Sequence, residues 1–213
     1  MIRKSLLLAV AVIVSAGSVW AQRPAIELNF YADYAWTSSI SASVQTSSDG
    51  LTNGDFDIKS NPAFGIAADI EVRPGTQLEL LYHRQDSEVS FRDAITRQTE
   101  TLWDMATSYY HIGALQGFKR GKVMPFTGGT LGATSFDPQG GGQDTEWKFS
   151  FAFHAGAKVY LNERIALRFH GRLFASLLDS GAGLWVGTGG AGLTIGGSAL
   201  WQWNLGGGLT ILL

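Results

Sequence analysis

Chemistry in this sequence would rest on four histidines and on a set of charged residues that recur at strand-like spacing. His83, His111, His154 and His170 are its only imidazoles. Counted from the nearest short turn, His83 lies six residues from Gln77 and His170 six from Arg164, while His111 lies seven from Phe118 and His154 seven from Leu161. In strands, similar counts mean similar depth. Four rings on one level could hold a transition metal or act as a pH-sensitive plug. The competing reading is that they hydrogen-bond into a charged interior, as buried polar groups must. That second reading is favoured, because strand tilt staggers levels and only His154 and His170 lie on strands joined by a hairpin. No metal or cofactor is therefore expected, and His154 with His170 is the one candidate pair. A three-residue turn, Leu161 to Glu163, would pair the two directly, whereas the neighbouring register pairs His154 with Arg172. The first is expected, since a protonated histidine opposite an arginine is unfavourable.

The charged set is Glu27, Asp33, Asp69, Glu71 and Glu79 against Arg73, Lys148, Lys158, Arg168 and Arg172, five of each sign. Unpaired charge away from water is costly enough to force pairing. Ion pairs among Glu27, Asp69, Glu71, Glu79, Lys158, Arg168 and Arg172 are expected to plug whatever space these residues share. Gly181 to Gly197 is glycine-rich but lacks the Lys-Ser/Thr ending of a phosphate loop. It reads as an outer loop, and Leu184, Trp185 and Val186 suit a hairpin continuing above a membrane better than a contact site.

The elements that must position these residues are strands. From Ile26 every second residue is apolar through Leu28, Phe30, Ala32, Tyr34 and Trp36, a period of two that gives one dry and one wet face. The pattern returns at Phe64 to Val72, at Leu78 to Tyr82, at Phe149 to Leu161, at Ile165 to Leu173 and at Trp201 to Leu213. Around Ser108 to Gly117, Tyr110, Ile112 and Ala114 take the apolar face, which turns His111 to the other side. Val123 to Phe136, rich in Gly and Thr, leaves its facing open. Arg84 falls on an apolar face and is tolerable only near an interface. Expected strands are 25–37, 62–73, 77–86, 100–117, 123–136, 146–161, 164–177 and 198–213. Pro74-Gly75-Thr76, Lys119 to Lys122 and Asn162-Glu163 are tight turns. The segments 38–60, 86–98, 137–146 and 178–198 are long connections.

Alternation alone cannot say which face is inside. The wet face mixes both signs of charge with small residues, which suits the narrow interior of an eight-stranded barrel. Trp36, Phe151 and Trp203 each lie ten residues from the far end of an apolar face, the depth at which an aromatic girdle meets the outer interface. The expected fold is all-β: an eight-stranded antiparallel transmembrane β-barrel with short periplasmic turns and long extracellular loops. The last strand must pair with the first, because hydrocarbon tolerates no open edge.

Export is expected too. Arg3 and Lys4 precede an apolar run, Leu6 to Val14, and Val19-Trp20-Ala21 has the shape of a cleavage site. Nine apolar residues are too few for a spanning helix, which needs about twenty. Residues 1–21 thus read as a signal peptide and 22–213 as the barrel. Removing Arg3 and Lys4 takes the 16 Lys+Arg to 14 against 18 Asp+Glu, a formal charge of −4. That balance gives no basic stripe for nucleic acid, and with no cysteine there is no disulfide or thiol chemistry.

Asn204-x-Gly206-x-x-Leu209-x-Ile211 resembles the last-strand assembly signal of bacterial outer-membrane barrels, although this chain ends in Leu213 where those barrels usually end in Phe. Tyr109-Tyr110-His111-Ile112-Gly113 and the Val123 to Ala133 segment resemble the middle hairpin of OmpA/OmpX/OmpW-like barrels. The resemblance implies an outer-membrane location, contact with outer-membrane lipid, handling by barrel-assembly machinery through the last strand, and a monomer. It implies a non-enzymatic surface protein serving envelope integrity or contact through its loops. The alternative is a narrow conduit for small hydrophobic molecules, as in OmpW-like members. A lipid-modifying barrel enzyme is the minor alternative. Lipid A deacylases of this size place His and Ser two apart on a strand, whereas here His170 is followed by Gly171 and Arg172. Nucleophilic catalysis needs a base within reach of the nucleophile, and no such pair is expected.

Overall fold

The computed structural model describes residues 26–38, 40–46, 50–93, 97, 99–118, 120–139, 144–178, 183–187, 190–194 and 199–213. The expected signal peptide lies outside them. Among the described residues twelve strands follow one another: β1 (Ile26–Thr37), β2 (Ile40–Thr46), β3 (Gly50–Ile58), β4 (Asn61–Arg73), β5 (Thr76–Asp93), β6 (Thr99–Gly117), β7 (Val123–Gln139), β8 (Glu146–Tyr160), β9 (Ile165–Leu177), β10 (Gly183–Gly187), β11 (Gly190–Thr194) and β12 (Ala199–Leu212). Eight of them, β1, β4, β5, β6, β7, β8, β9 and β12, form a closed antiparallel ring. Closure is made by β1 against β12, from Glu27 opposite Leu212 to Thr37 opposite Gln202.

The connections are more ordered than bare loops. β2 and β3 form a hairpin, and β3 lies against the outer part of β5, pairing Gly54–Ile58 with Asp93–Val89. β5, β6 and β7 run 18, 19 and 17 residues. Nine to eleven tilted residues cross a membrane, so these three strands continue well above it. β10 and β11 make a hairpin within the glycine-rich segment, but in a sheet of their own rather than as an extension of the β9–β12 ladder. At the other end the turns are tight, and Gly75 takes a φ of 77°, open to glycine and costly for most side chains.

Facing follows the alternation. Phe30, Ile66, Phe153, Leu167 and Leu209 lie on the exposed outer wall, while Glu27, Asp69, Lys158, Arg168 and Arg172 are buried inside. On β6, Tyr110, Ile112 and Ala114 point out and His111 points in; on β7, Met124, Phe126, Thr130 and Thr134 are the inward set. An apolar exterior around a charged interior is the reverse of a soluble barrel. Only hydrocarbon suits that exterior, so the barrel spans a membrane.

Aromatic side chains gather toward the outer end of the wall. Trp36 and Trp203 are direct cross-strand partners, Tyr34 packs edge-on to Trp36 with centroids 4.9 Å apart, and Tyr110 bridges Tyr82 and Trp147. Phe151 shares the outward face but is covered, packed against Ala175 and Leu177 and edge-on to Trp201. Arg84 also faces outward, where it holds Asp86 at 2.7 Å. Phe30 sits in the middle of the exposed belt, so Phe30→Arg should cost about 2–4 kcal/mol of unfolding free energy in vesicles. Leu161→Arg, at the periplasmic edge, should cost about 0–1 kcal/mol. Equal costs at the two depths would contradict the placement of the belt.

Candidate functional site: the barrel lumen

Two facing rows of charge dominate the lumen. Glu27, Asp69 and Glu79 are consecutive cross-strand neighbours on β1, β4 and β5. Opposite them Lys158 of β8 pairs with Arg168 of β9. Like charges side by side on one wall are unfavourable, and each row is tolerable only because the other faces it.

Lys158 donates to Glu27, to Asp69 at 2.7 Å and to Gln77 at 2.9 Å. Arg168 reaches Asp69 at 3.2 Å and Glu79 at 2.8 Å. Arg172 donates to the second oxygen of Glu79 at 2.9 Å. Asn29 donates to Asp69 at 2.9 Å and accepts from Thr210 at 2.7 Å. Tyr160 donates to Glu27 at 3.1 Å.

Not every expected partner joins this network. Glu71 lies half-buried at the periplasmic rim, where its carboxylate accepts the Gly75 N–H at 3.1 Å and joins no ion pair among the described residues. Arg73 is exposed in the same turn. Lys148 pairs with Glu146 at the outer end. The buried network therefore joins Glu27, Asp69 and Glu79 to Lys158, Arg168 and Arg172, and Arg73 and Lys148 stay outside it.

Above it sits a carboxylate between two imidazoles. Asp33 lies 3.0 Å from His83 Nε2 and 3.3 Å from His170 Nε2. Asn204 Nδ2 is 2.9 Å from His83 Nε2. Asn204 Oδ1 accepts from Gln202, which in turn accepts the Tyr109 hydroxyl. Four strands, β1, β5, β9 and β12, thus converge on Asp33. Spacing along any one strand carries no sign of such a meeting.

The hairpin register differs from expectation. His154 is paired with Arg172, and His170 with Gly156. The turn holds four residues, Leu161 to Arg164: the Ile165 carbonyl accepts from the amides of Leu161 and Asn162, and the Asn162 side chain accepts the Arg164 N–H. The objection to a histidine opposite an arginine falls away because Glu79 reaches across to both. It bonds Arg172 and lies 3.6 Å from His154 Nδ1. Among the described residues no group of three His, Asp or Glu side chains is arranged to hold a metal ion.

One hydroxyl–imidazole pair escaped sequence reasoning. His111 contacts Ser150 at 2.8 Å through Nε2 and Thr130 at 2.9 Å through Nδ1. Ser150 lies 39 residues from His111, so no local motif announces the pair. The far nitrogen of the ring meets a hydroxyl, where a nucleophile-activating histidine is oriented by a third group such as a carboxylate.

Further out the lumen closes on apolar side chains. Tyr109 and Phe174 stack with centroids 3.9 Å apart. Beyond them Ile58, Val89, Met105, Phe136 and Leu200 form a cluster inside the outer mouth, with Trp103 and Leu178 against it.

No family model matches this sequence, and no curated protein is similar to it in sequence. Its backbone is similar to solved barrels. The outer membrane protein OprG of Pseudomonas aeruginosa aligns over 90% of this chain and 97% of its own, at 11% identity and a TM-score of 0.64. Neisserial surface protein A aligns over 88% and 97%, at 14% identity and a TM-score of 0.54. The outer membrane protein AlkL aligns over 92% of each chain, at 12% identity and a TM-score of 0.50. This chain has the fold of the small eight-stranded outer-membrane β-barrels, the OmpA/OmpX/OmpW-like class.

Proposed function

We propose that the protein is a non-enzymatic outer-membrane surface protein, a plugged barrel that presents β2–β3 and the projecting ends of β5, β6 and β7 for contact outside the cell. The observation that carries this reading is the filled lumen. Ion pairs close it toward the periplasm, and stacked Tyr109 and Phe174 close it above. The name of Neisserial surface protein A fits such a role. The barrel works as a monomer in outer-membrane lipid and carries no cofactor. Asn204, Gly206, Leu209 and Ile211 of β12 serve as its assembly signal, with Leu209 and Ile211 on the outer face. The fully buried Ser150 beside His111 is read as structural, because a threonine hydroxyl rather than a carboxylate holds the far nitrogen of the ring.

Single-channel recording tests the plug. The refolded protein in a planar bilayer should show no steady conductance, while Arg172→Ala and Phe174→Ala together, which thin both closures, should open a small one. Steady conductance of the unaltered protein would favour a second reading, a narrow conduit for small hydrophobic molecules. One observation supports that alternative: the apolar cluster at the outer mouth, around Val89, Met105 and Phe136, faces inward.

A further inference from the structure

The periplasmic turns carry charge that the lumen does not use. Arg73 begins the β4–β5 turn, Arg120 and Lys122 flank Gly121 between β6 and β7, and Arg164 ends the β8–β9 turn; all four side chains are exposed. None of them joins the ion pairs found among the described residues. At the outer end, by contrast, Lys59, Arg84 and Lys148 each sit against an acid. The acids near the periplasmic turns are Glu163, which is exposed, and Glu71, which is held by the Gly75 amide.

Depth gives these cations a partner. Exposed Val72 precedes Arg73, Phe118 lies two residues before Arg120, Val123 follows Lys122, and Leu161 lies three residues before Arg164. A strand rises about 3.3 Å per residue, so the cations stand at the level where hydrocarbon gives way to headgroups. A cavity of about 380 Å³ opens at the same rim, lined by Lys122, Tyr160, Leu161, Glu163 and Leu212 among others. It brings Lys122 together with two leucines.

We infer that this rim is a binding surface for anionic phospholipid of the periplasmic leaflet. Lys122, with Arg120 and Arg164 in the same two turns, takes the headgroup phosphate, and Leu161 with Leu212 takes the start of an acyl chain. Phosphate held by Lys and Arg gains charge-assisted hydrogen bonds. A cation beside an anionic surface contributes about a fivefold preference. Glu163 opposes this and tempers it.

The chain has no cysteine, so Phe118→Cys labelled with a fluorophore reports on this rim alone. In vesicles at low salt, nitroxide-labelled phosphatidylglycerol should quench it at least about fivefold more effectively than nitroxide-labelled phosphatidylcholine. The preference should fall to near unity with Arg120→Gln and Lys122→Gln together, and at high salt. Glu163→Gln should raise it. All these side chains are exposed in turns, so the variants should fold. Equal quenching by the two lipids, or a preference that ignores the Gln substitutions, would overturn the inference.

Discussion

Glu79→Gln should cost about 3–5 kcal/mol of unfolding free energy, the scale for removing one member of a buried ion pair. Glu79 is fully buried and uses both carboxylate oxygens, one toward Arg168 at 2.8 Å and the other toward Arg172 at 2.9 Å. Without its charge, Arg172 loses the one carboxylate it pairs with among the described residues and Arg168 keeps Asp69. The loss exceeds a lost hydrogen bond because two guanidinium groups stay where water cannot solvate them. Urea titration in vesicles, followed by tryptophan fluorescence, measures it. Lys59→Gln removes an exposed pair with Glu88 and should cost no more than about 1 kcal/mol. Replacing Glu79 and Arg172 together by Met should recover part of the loss, since an apolar pair leaves less charge stranded. If Glu79→Gln costs no more than Lys59→Gln, the ion pairs do not hold the lumen together.

How much of this was legible beforehand depends on the distance over which each feature is determined. Seven of the eight spanning strands stand close to the expected ranges, because alternation and turn residues are local signals; β5, expected at 77–86 with a long connection after it, runs on to Asp93 because β3 pairs with its outer part. β1, expected at 25–37, is Ile26–Thr37; β9, expected at 164–177, is Ile165–Leu177. The inward and outward sets follow from the same period of two. What alternation cannot give is the partner across the lumen. Glu79 and Arg172 lie 93 residues apart, and Asp33 and His83 lie 50 apart. Their meeting depends on the order and stagger of all eight strands. The register of the β8–β9 hairpin was local in principle. It turned on one extra turn residue, and on a carboxylate from the opposite wall that made the less expected pairing favourable.

Gly206 belongs to the last-strand motif, and the structure gives it a second duty at the seam where β1 and β12 close the barrel. It is the cross-strand partner of Asp33, and its missing side chain is the space the Asp33 carboxylate occupies. A Cβ there would stand 1.8 Å from Asp33 Oδ1 and 2.4 Å from the Ala32 carbonyl oxygen. The first contact alone would force Asp33 off His83 and His170; the second presses on backbone that cannot swing away. Overpacking of a core costs about 1–3 kcal/mol, and displacing a buried carboxylate from its partners adds to that. Gly206→Ala should therefore lose more than about 3 kcal/mol, with the β1–β12 seam failing first. Gly171→Ala provides the comparison, since a Cβ there meets nothing nearer than 3.9 Å and should leave stability nearly unchanged. The measurement is amide exchange in Asn29–Asp33 of β1 and Asn204–Gly208 of β12, which should quicken in Gly206→Ala while β6 and β7 stay protected. Asp33→Ala in that background removes the first clash but not the one with the Ala32 carbonyl, so it should restore protection only in part. Full restoration would place the whole effect on the carboxylate, and unchanged exchange in Gly206→Ala would mean that the seam does not depend on this glycine.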